Sequence, residues 1–404
     1  LATSTAKERK PVRLLFYGQS ITAQPWSHEI AKRLRKKYFC ADLSYENRAI
    51  GGFTAERLIK TAKQDLYPYY PDLVIFHVYG GLDGEWEAIV RKIRRTTTAE
   101  ILVFTHHLSF PGNKWKNERD DRGSQMIREI AAKYDCELVD VRKEWERYLK
   151  ENNLESKDML KDSVHLNKRG CDLMADLIWP HLQYNPAFEN PHADWIKRIP
   201  VKPAADGSIT VEFTGNRIDI VADVPVENMG TARLLIDGEP PSANPNAYTF
   251  TRPSVAPGAW WPAIYTIGSE HPMPQAETWT LTVTEVPEEG PFTFTVSGSK
   301  TGPDGTGNSA ERFVSNSKRI VIEPGDWGID AAKKKCPVGF TVKWQVEPMF
   351  TDTYVPPKNV DPALTTSTRV TQLIENGPHR LEIIPNGDGP VPVSAVIVYE
   401  PPLK

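Results

Sequence analysis

The sequence predicts an α/β domain with a parallel sheet followed by an all-β domain. Between residues 11 and about 182, short apolar runs alternate with amphipathic stretches, as they do where crossover helices join parallel strands. Around Asn185-Pro186 this texture ends, and alternating runs such as 209–213 follow, separated by turn residues and with little helical pattern. The predicted units are an α/β domain (1–185), a linker (186–204) and a β-sandwich or jelly-roll domain (205–404).

The elements of the first half are predicted from their periodicity. Trp86, Ile89 and Ile93 recur at helical spacing, as do Met126 and Ile130, so each of these helices buries one face. The predicted strands are 12–17, 43–50, 73–78, 101–105 and 138–141. Polar residues collect at the carboxyl ends of these strands, which is where open α/β sheets bind their ligands.

Composition excludes several classes of protein. The chain has 40% hydrophobic and 25% charged residues, which is typical of an ordinary globular protein. A formal charge of -3 provides no basic field for a phosphate backbone, so no nucleic-acid partner is expected. No apolar run approaches the roughly 20 residues that a membrane-spanning helix needs. The opening Leu1-Ala2-Thr3-Ser4, without Met, predicts a secreted or periplasmic protein whose leader has been removed.

The four cysteines show no metal-binding or redox spacing. Cys40, Cys136, Cys171 and Cys336 lack a CxxC pair, so neither a zinc site nor a thioredoxin-type motif is indicated. Core packing is the favoured use, and one disulfide of unknown pairing stays open if the protein is exported. No metal and no cofactor are expected.

A nucleophile is predicted at the end of the first strand. Tyr17-Gly18-Gln19-Ser20 places Ser20 in the turn before the helix that begins near Pro25, where its hydroxyl can stand above the sheet beside backbone N–H groups. Taken alone the motif is weak, because a serine in such a turn is more often a helix cap.

The second predicted element is Asp162 and His165, three residues apart in the loop before the last helix of the α/β domain. A serine hydroxyl attacks only when an imidazole accepts its proton, and the imidazole needs a carboxylate to fix its tautomer. Asp162 and His165 supply both groups. The alternative is that Asp162 caps a turn and His165 is a surface residue.

From residue 11 to about 182 the chain resembles the SGNH hydrolases, also called GDSL-like esterases and lipases. Gly18-Gln19-Ser20 is similar to the family's Gly-Asp-Ser motif, Asp162 to His165 to its Asp-x-x-His motif, and Asn47 to Thr54 to its second motif. The resemblance implies a flavodoxin-like three-layer sandwich with catalytic Ser20, Asp162 and His165. It also implies an oxyanion hole formed by the backbone N–H groups of Ser20 and Gly52.

The third motif of the family departs from its usual form. Gly-x-Asn-Asp is expected after the third strand, whereas this chain has Tyr79-Gly80-Gly81-Leu82-Asp83-Gly84. The Asn that usually completes the oxyanion hole is missing. Gly81 and Asp83 are retained as candidate substrate contacts, and Glu85 and Glu87 add acidity beside them or favour a helix start.

Further candidate substrate contacts follow the fourth strand. Of His106 and His107, one is expected in the pocket and one in a structural role, since neighbours on an extended segment point in opposite directions. Trp115 lies in a charged loop, 112–121, that either forms a rim for a sugar or anionic substrate or is simply solvated.

In the β domain, aromatic side chains are candidates for stacking on sugar rings. They are Trp260, Trp261, Tyr265, Trp279 and Trp344. Core packing is the favoured alternative for them.

The predicted function is a carbohydrate O-acyl esterase, most simply an acetylesterase, that uses Ser20, His165 and Asp162 on an acylated glycan. Two alternatives stay open. One is glycosidic or other non-ester chemistry in the same cleft, carried by the acidic residues 83–87. The other is a carbohydrate-binding protein that has lost activity. The sequence leaves the oligomeric state open.

Overall fold

The computed structural model describes residues 1–185, 187, 192–222, 227–270, 273–331, 336–358, 361 and 363–404. The first half contains a five-stranded parallel sheet in the order β2-β1-β3-β4-β5, which confirms the predicted α/β class and its flavodoxin-like strand order. Its strands are β1 (Pro11–Gly18), β2 (Asp42–Asn47), β3 (Leu73–His77), β4 (Glu100–Phe104) and β5 (Glu137–Val139).

Helices cover both faces of the sheet because successive strand residues point to opposite sides. Leu15 and Tyr17 pack with α2, α3 and α4 on one face, whereas Leu14 and Phe16 pack with α1, α5 and α6 on the other. The helices are α1 (Trp26–Lys37), α2 (Ala55–Asp65), α3 (Glu85–Thr96), α4 (Lys114–Lys133), α5 (Val141–Glu151) and α6 (Lys168–Ile178). Among the helices of the described ranges, none has the length and apolar character needed to cross a bilayer.

The second half consists of antiparallel sheets around two separate hydrophobic clusters. One cluster lies between two four-stranded sheets, β17-β9-β19-β7 and β18-β8-β20-β6. These strands are β6 (Ile196–Pro200), β7 (Ile209–Gly215), β8 (Arg217–Ala222), β9 (Ala232–Ile236), β17 (Thr353–Tyr354), β18 (Ser367–Thr371), β19 (Gly377–Pro385) and β20 (Val393–Tyr399).

The other cluster belongs to a segment inserted between β9 and β17. Its five-stranded sheet has the order β10-β16-β11-β12-β13, beside the short pair β14-β15 and the one-turn helix α7 (Gly328–Ala331). Its strands are β10 (Tyr248–Phe250), β11 (Glu277–Glu285), β12 (Thr293–Gly298), β13 (Gly302–Asn308), β14 (Phe313–Val314), β15 (Val321–Ile322) and β16 (Thr341–Pro348). Alternating burial of the strand residues in both clusters follows the period of two in the sequence.

The range 186–204, predicted to be a linker, contains β6. This strand pairs antiparallel with β20, with Ile199 opposite Val396. Most of its residues are exposed because it lies at a sheet edge, so it lacks the apolar alternation by which the other strands were predicted. Residues 186 and 188–191 lie outside the described residues.

The β region packs directly on the α/β region. Tyr265 joins the hydrophobic cluster of the α2 face and meets Phe53 edge-on, with ring centroids 5.3 Å apart. Nearby, Arg252 Nη2 donates to Asp65 Oδ2 at 2.7 Å and to the Arg48 carbonyl at 3.0 Å. Burial raises the pKa of Asp65, and the Arg252 guanidinium opposes that rise. The two regions are therefore joined by apolar packing and by a partly buried ion pair.

All four cysteines, at 40, 136, 171 and 336, are unpaired in the structure. The single disulfide that the sequence left open is not formed here.

Candidate active site

Ser20 lies just beyond the carboxyl end of β1. The preceding Gly18 is required by close packing, because a Cβ there would come within 2.1 Å of the His77 carbonyl oxygen on β3. The N-cap of α1 is Pro25, five residues after Ser20, so Ser20 is not the helix cap that was the alternative to a nucleophile. Its side chain is partly buried at the edge of the sheet where ligands of this architecture bind.

Ser20, His165 and Asp162 form a continuous hydrogen-bonded chain. Ser20 Oγ lies 2.9 Å from His165 Nε2, and His165 Nδ1 lies 2.8 Å from Asp162 Oδ2. Since a carboxylate can only accept, Nδ1 carries the hydrogen and Nε2 is left to accept from the serine. This is the arrangement that makes a serine hydroxyl nucleophilic.

Asp162 is held as a carboxylate by its own loop. Its Oδ1 accepts from the backbone N–H of His165 at 2.7 Å and of Val164 at 2.8 Å. Burial alone would raise the pKa of Asp162, but these two N–H groups and the His165 ring lower it to about 2. The carboxylate is therefore ionised at any pH at which the protein is expected to work.

Two buried side chains support the loop that carries His165. Gln24 pairs with both backbone groups of Leu166, donating from Nε2 to its carbonyl at 2.9 Å and accepting its N–H at Oε1 at 3.1 Å. His107 Nε2 donates to the Val164 carbonyl at 2.8 Å. The loop is thus fixed on both sides of His165. Sequence reasoning missed Gln24, because no local pattern marks a glutamine whose partner is 142 residues away.

His106 and His107, of which one was expected in the pocket, are both buried and bound to groups of the fold. His107 supports the Val164 carbonyl, and His106 Nδ1 lies 2.8 Å from His77 Nε2 while its ring stacks on Tyr79. Burial lowers the pKa of His77 to about 3 and of His107 to about 4, and it also lowers that of His106. All three rings are neutral at neutral pH.

The two predicted oxyanion donors, the backbone N–H groups of Gly52 and Ser20, differ in whether they already have an acceptor. Ile50 to Phe53 form a turn in which the Phe53 N–H reaches the Ile50 carbonyl, with Gly52 at φ +79°. This φ favours glycine, and within the described residues the Gly52 N–H has no acceptor. The Ser20 N–H, in contrast, is occupied, because it donates to Gln19 Oε1 at 2.8 Å.

Gln19 also competes for the serine hydroxyl. Its Oε1 lies 2.6 Å from Ser20 Oγ, so the single hydroxyl hydrogen has two acceptors, Gln19 Oε1 and His165 Nε2. The carboxamide oxygen thus accepts from the backbone N–H of Ser20 and also lies within hydrogen-bond distance of its hydroxyl. The role of Gln19 could not be inferred from the sequence, since it depends on how the side chain folds back over its neighbour.

In the third motif, residues 79–84, the backbone N–H of Gly81 is bound within the fold and is not free to serve as an oxyanion donor. The Gly81 N–H is taken by Glu56 Oε1 at 2.7 Å, and Leu82 and Asp83 are exposed. Burial alone would raise the pKa of Glu56, but hydrogen bonds from Thr54 and from Gly81 lower it. The expectation that Gly81 contacts substrate is therefore not supported through its N–H.

The remaining rim candidates lie at the surface. Glu87 Oε1 accepts from Lys133 Nζ at 2.8 Å and from Tyr134 Oη at 2.6 Å, so it joins α3 to α4. Trp115 is exposed near the start of α4, with the Arg119 guanidinium 5.7 Å from its ring centre. No contact joins Trp115 to Ser20 or His165 within the described part of the chain.

Most aromatic candidates of the β region are core residues. Trp279, Trp344 and Tyr265 are buried, and Trp261 is partly buried with its Nε1 donating to the Gly328 carbonyl at 3.0 Å. Trp260 is the exception and is 68% exposed.

Metal ligation finds no support among the residues that the structure describes, where no group of three His, Cys, Asp or Glu side chains could hold an ion.

A cavity of 1130 Å³ lies at the other edge of the parallel sheet, lined by Leu73, Glu100 and Glu137 at the amino ends of β3, β4 and β5. Neither Ser20 nor His165 lines it.

Comparison with solved structures finds chains similar to the α/β region. The acetyl xylan esterase AlAXEase is 22% identical, with 43% of this chain and all of that chain covered at a TM-score of 0.38. Axe2, an acetylxylan esterase from Geobacillus stearothermophilus, is 18% identical, with 46% of this chain and all of that chain covered at a TM-score of 0.39. These values are too low for an argument about substrate. The comparison with curated proteins found no match.

Comparison with family models gives a match over the segment that contains the hydrogen-bonded residues Ser20, His165 and Asp162. Residues 16–173 match the GDSL-like Lipase/Acylhydrolase family, from β1 into α6. The matched segment includes the turn after β1, the Gly52 turn and the loop before α6. The α/β region of this chain is therefore a GDSL-like lipase/acylhydrolase domain.

Proposed function

We propose that this chain is an esterase that removes O-acyl groups, most simply acetyl, from a glycan. The observation that carries the proposal is the hydrogen-bonded chain from Ser20 Oγ through His165 to Asp162, which lies inside the acylhydrolase domain. Such a chain generates an alkoxide-like nucleophile at neutral pH without a metal ion.

The first half of the reaction forms an acyl-enzyme. Ser20 Oγ bonds to the ester carbonyl carbon while its proton passes to His165 Nε2, and Asp162 stabilises the resulting imidazolium. The acyl oxygen displaces Gln19 Oε1 from the Ser20 N–H, and the Gly52 N–H serves as the second donor. The carbon–oxygen bond to the glycan then breaks, and the departing oxygen takes the proton from His165.

The second half releases the acid. A water molecule gives a proton to His165 Nε2 and bonds to the acyl carbon, and the bond from Ser20 Oγ breaks as the serine regains the proton. Each step uses the same imidazole as base and then as acid, so no external oxidant, reductant or ion is needed.

The glycan assignment rests on the chain's own features and stays a proposal. The β region packs on the domain beside the Gly51-Gly52 turn, and exposed Trp260 gives it an aromatic face there. Acetylated oligosaccharides of different sugars form the first panel of substrates that tests this assignment.

The decisive experiment labels the protein with a fluorophosphonate and maps the modified peptide. We expect modification of Ser20 in the unsubstituted chain and its loss in Ser20→Ala and in His165→Ala. Acetate release from acetylated xylo- and manno-oligosaccharides is measured in parallel. Labelling that persists in Ser20→Ala would overturn the assignment of the nucleophile.

The same samples separate the two other readings of the cleft. Glycosidic cleavage without acetate release would favour chemistry by the acidic residues around Asp83. Glycan binding with neither labelling nor turnover would favour a binding protein. Glu87 is already committed to Lys133 and Tyr134, so it is poorly placed to act as a general acid.

A further inference from the structure

Trp260 brings the β region to the catalytic serine. Its Nε1 donates to the Gly51 carbonyl at 2.9 Å. A Cβ built on Gly51 would lie 3.1 Å from Trp260 Nε1 and 3.8 Å from Ser20 Cβ. The indole and the nucleophile therefore both lie within 4 Å of one point on the turn that leads to Gly52. Trp260 belongs to the loop before β11, more than 200 residues along the chain from Ser20.

Contacts with neighbouring residues hold the Trp260 indole in place. Trp261 packs edge-on against it, with ring centroids 5.0 Å apart and an interplanar angle of 77°. Within the same segment, Arg252 is bound to Asp65, and Tyr265 is buried in the cluster of the α2 face. The segment that carries Trp260 is thus anchored to the α/β region on both sides of the indole.

The Trp260 side chain is nevertheless largely exposed. Trp260 is 68% exposed, which is unusual for a large aromatic side chain whose polar atom is already satisfied. Core packing accounts for Trp279 and Trp344 but not for this residue. A rigid, exposed indole beside a nucleophile presents an apolar, electron-rich surface to whatever the nucleophile attacks.

We propose that Trp260 stacks on a sugar ring of the substrate, so that the β region forms one wall of the glycan site. This inference rests on the proposed esterase function and adds the residue that selects a glycan over a small ester. A pyranose ring has a face of C–H groups that matches an indole face, whereas its hydroxyl groups stay in water. The Gly51 hydrogen bond sets the orientation of the indole, and the ring face supplies the contact.

The test compares two substrates in four proteins. For the unsubstituted chain, Trp260→Ala, Trp260→Phe and Phe39→Ala, kcat/KM is measured on an acetylated xylotriose and on ethyl acetate, which has no ring. Phe39 is the matched control, because it is an exposed aromatic (78%) that follows α1 at the opposite edge of the sheet.

In Trp260→Ala we expect the ratio of the two kcat/KM values to fall about tenfold, mainly through KM for the sugar ester. Trp260→Phe keeps a ring but loses the N–H, and its ratio stays within about threefold of the starting value. Phe39→Ala leaves the ratio unchanged. An equal loss in the Phe and Ala variants would show that the Gly51 hydrogen bond, and not the ring face, is what matters, and would overturn the proposal.

A binding measurement keeps this inference separate from the esterase proposal. Calorimetry with deacetylated xylotriose on Ser20→Ala and on Ser20→Ala/Trp260→Ala needs no turnover. Binding that weakens about tenfold on loss of the indole supports Trp260 even if the unsubstituted chain hydrolyses no ester. Equal affinity in the two proteins would overturn the role of Trp260 while leaving ester hydrolysis by Ser20 untouched.

Discussion

The two sides of Ser20 are built differently. On the acid–base side, the loop from Asp162 to Leu166 is tied down by Gln24, by His107 and by its own carboxylate. On the oxyanion side, the Gly52 N–H has no acceptor within the described residues, and the Ser20 N–H is held by Gln19. The difference is that the loop carrying His165 is held by other side chains of the fold, whereas of the two predicted oxyanion donors one is bound to a neighbouring side chain and the other has no acceptor in the described residues.

The largest effect is expected from the relay itself. Asp162→Asn should lower kcat by about 10³–10⁴-fold, because an amide cannot hold the Nδ1–H tautomer of His165 or stabilise its cation. Steady-state kinetics on an acetyl ester measures the loss. Asp172→Asn, an exposed carboxylate paired with Lys168 on α6, is the control and should retain activity. Similar losses in the two variants would argue against a catalytic role for Asp162.

The second largest effect is expected from removing Gln24, which supports the loop that carries His165. Gln24→Leu leaves the buried N–H and carbonyl of Leu166 without partners, which should lower the free energy of unfolding by about 2–5 kcal/mol. Urea denaturation measures this change, and kcat should fall as well. The exposed Gln125→Leu on α4 is the control, with an expected change within about 0.5 kcal/mol. An unchanged denaturation midpoint for Gln24→Leu would show that the loop does not depend on Gln24.

The buried histidines make the acid–base side sensitive to acid. The folded state lowers the pKa of His107 to about 4, so below the unfolded value near 6.5 the unfolded chain binds a proton that the folded chain does not. Stability is thus complete above about pH 6.5 and falls towards pH 4, by about 1.4 kcal/mol per pH unit for this histidine. His107→Gln keeps a donor for Val164 but does not titrate, so urea titrations at pH 7, 6 and 5 should show a shallower slope. The same slope in both proteins would contradict the assignment.

The smallest effect is expected on the oxyanion side. Gln19→Ala frees the Ser20 N–H and removes the second acceptor of its hydroxyl, so kcat/KM for an acetyl ester should rise about two- to fivefold. Gln19→Glu should act in the opposite direction, because a carboxylate there repels the developing oxyanion. A fall in activity in both variants would mean that Gln19 assists the reaction.

The α/β fold could be predicted because the sequence patterns that indicate its strands and helices are local. Buried parallel strands appear in a sequence as short apolar runs. Ser20 follows the carboxyl end of β1, and His165 lies in the loop before α6, and these two residues are in contact in the structure. The Ser20, Asp162 and His165 contacts follow from that topology, since both segments reach the same edge of the sheet. The motifs in the sequence were therefore enough to predict that these three side chains lie together.

The oxyanion side depends on contacts that no local pattern contains. Gln19 acts through its rotamer, and Trp260 reaches Gly51 across 209 residues. In the β region, alternation predicted many strands but not that residues between β9 and β17 form a second cluster. Two antiparallel sheets with the same period of two look alike in sequence, and only their pairing separates them.

The interlock between the two regions limits how the chain can be divided. Tyr265 lies in the same hydrophobic cluster as Phe53 and the α2 helix, and Asp65 has its cationic partner, Arg252, on the other region. A shortened chain that ended after α6 would expose that apolar surface and remove the Arg252 partner of Asp65. Any transplant or exchange of the β region therefore has to carry a matching surface for α2 with it.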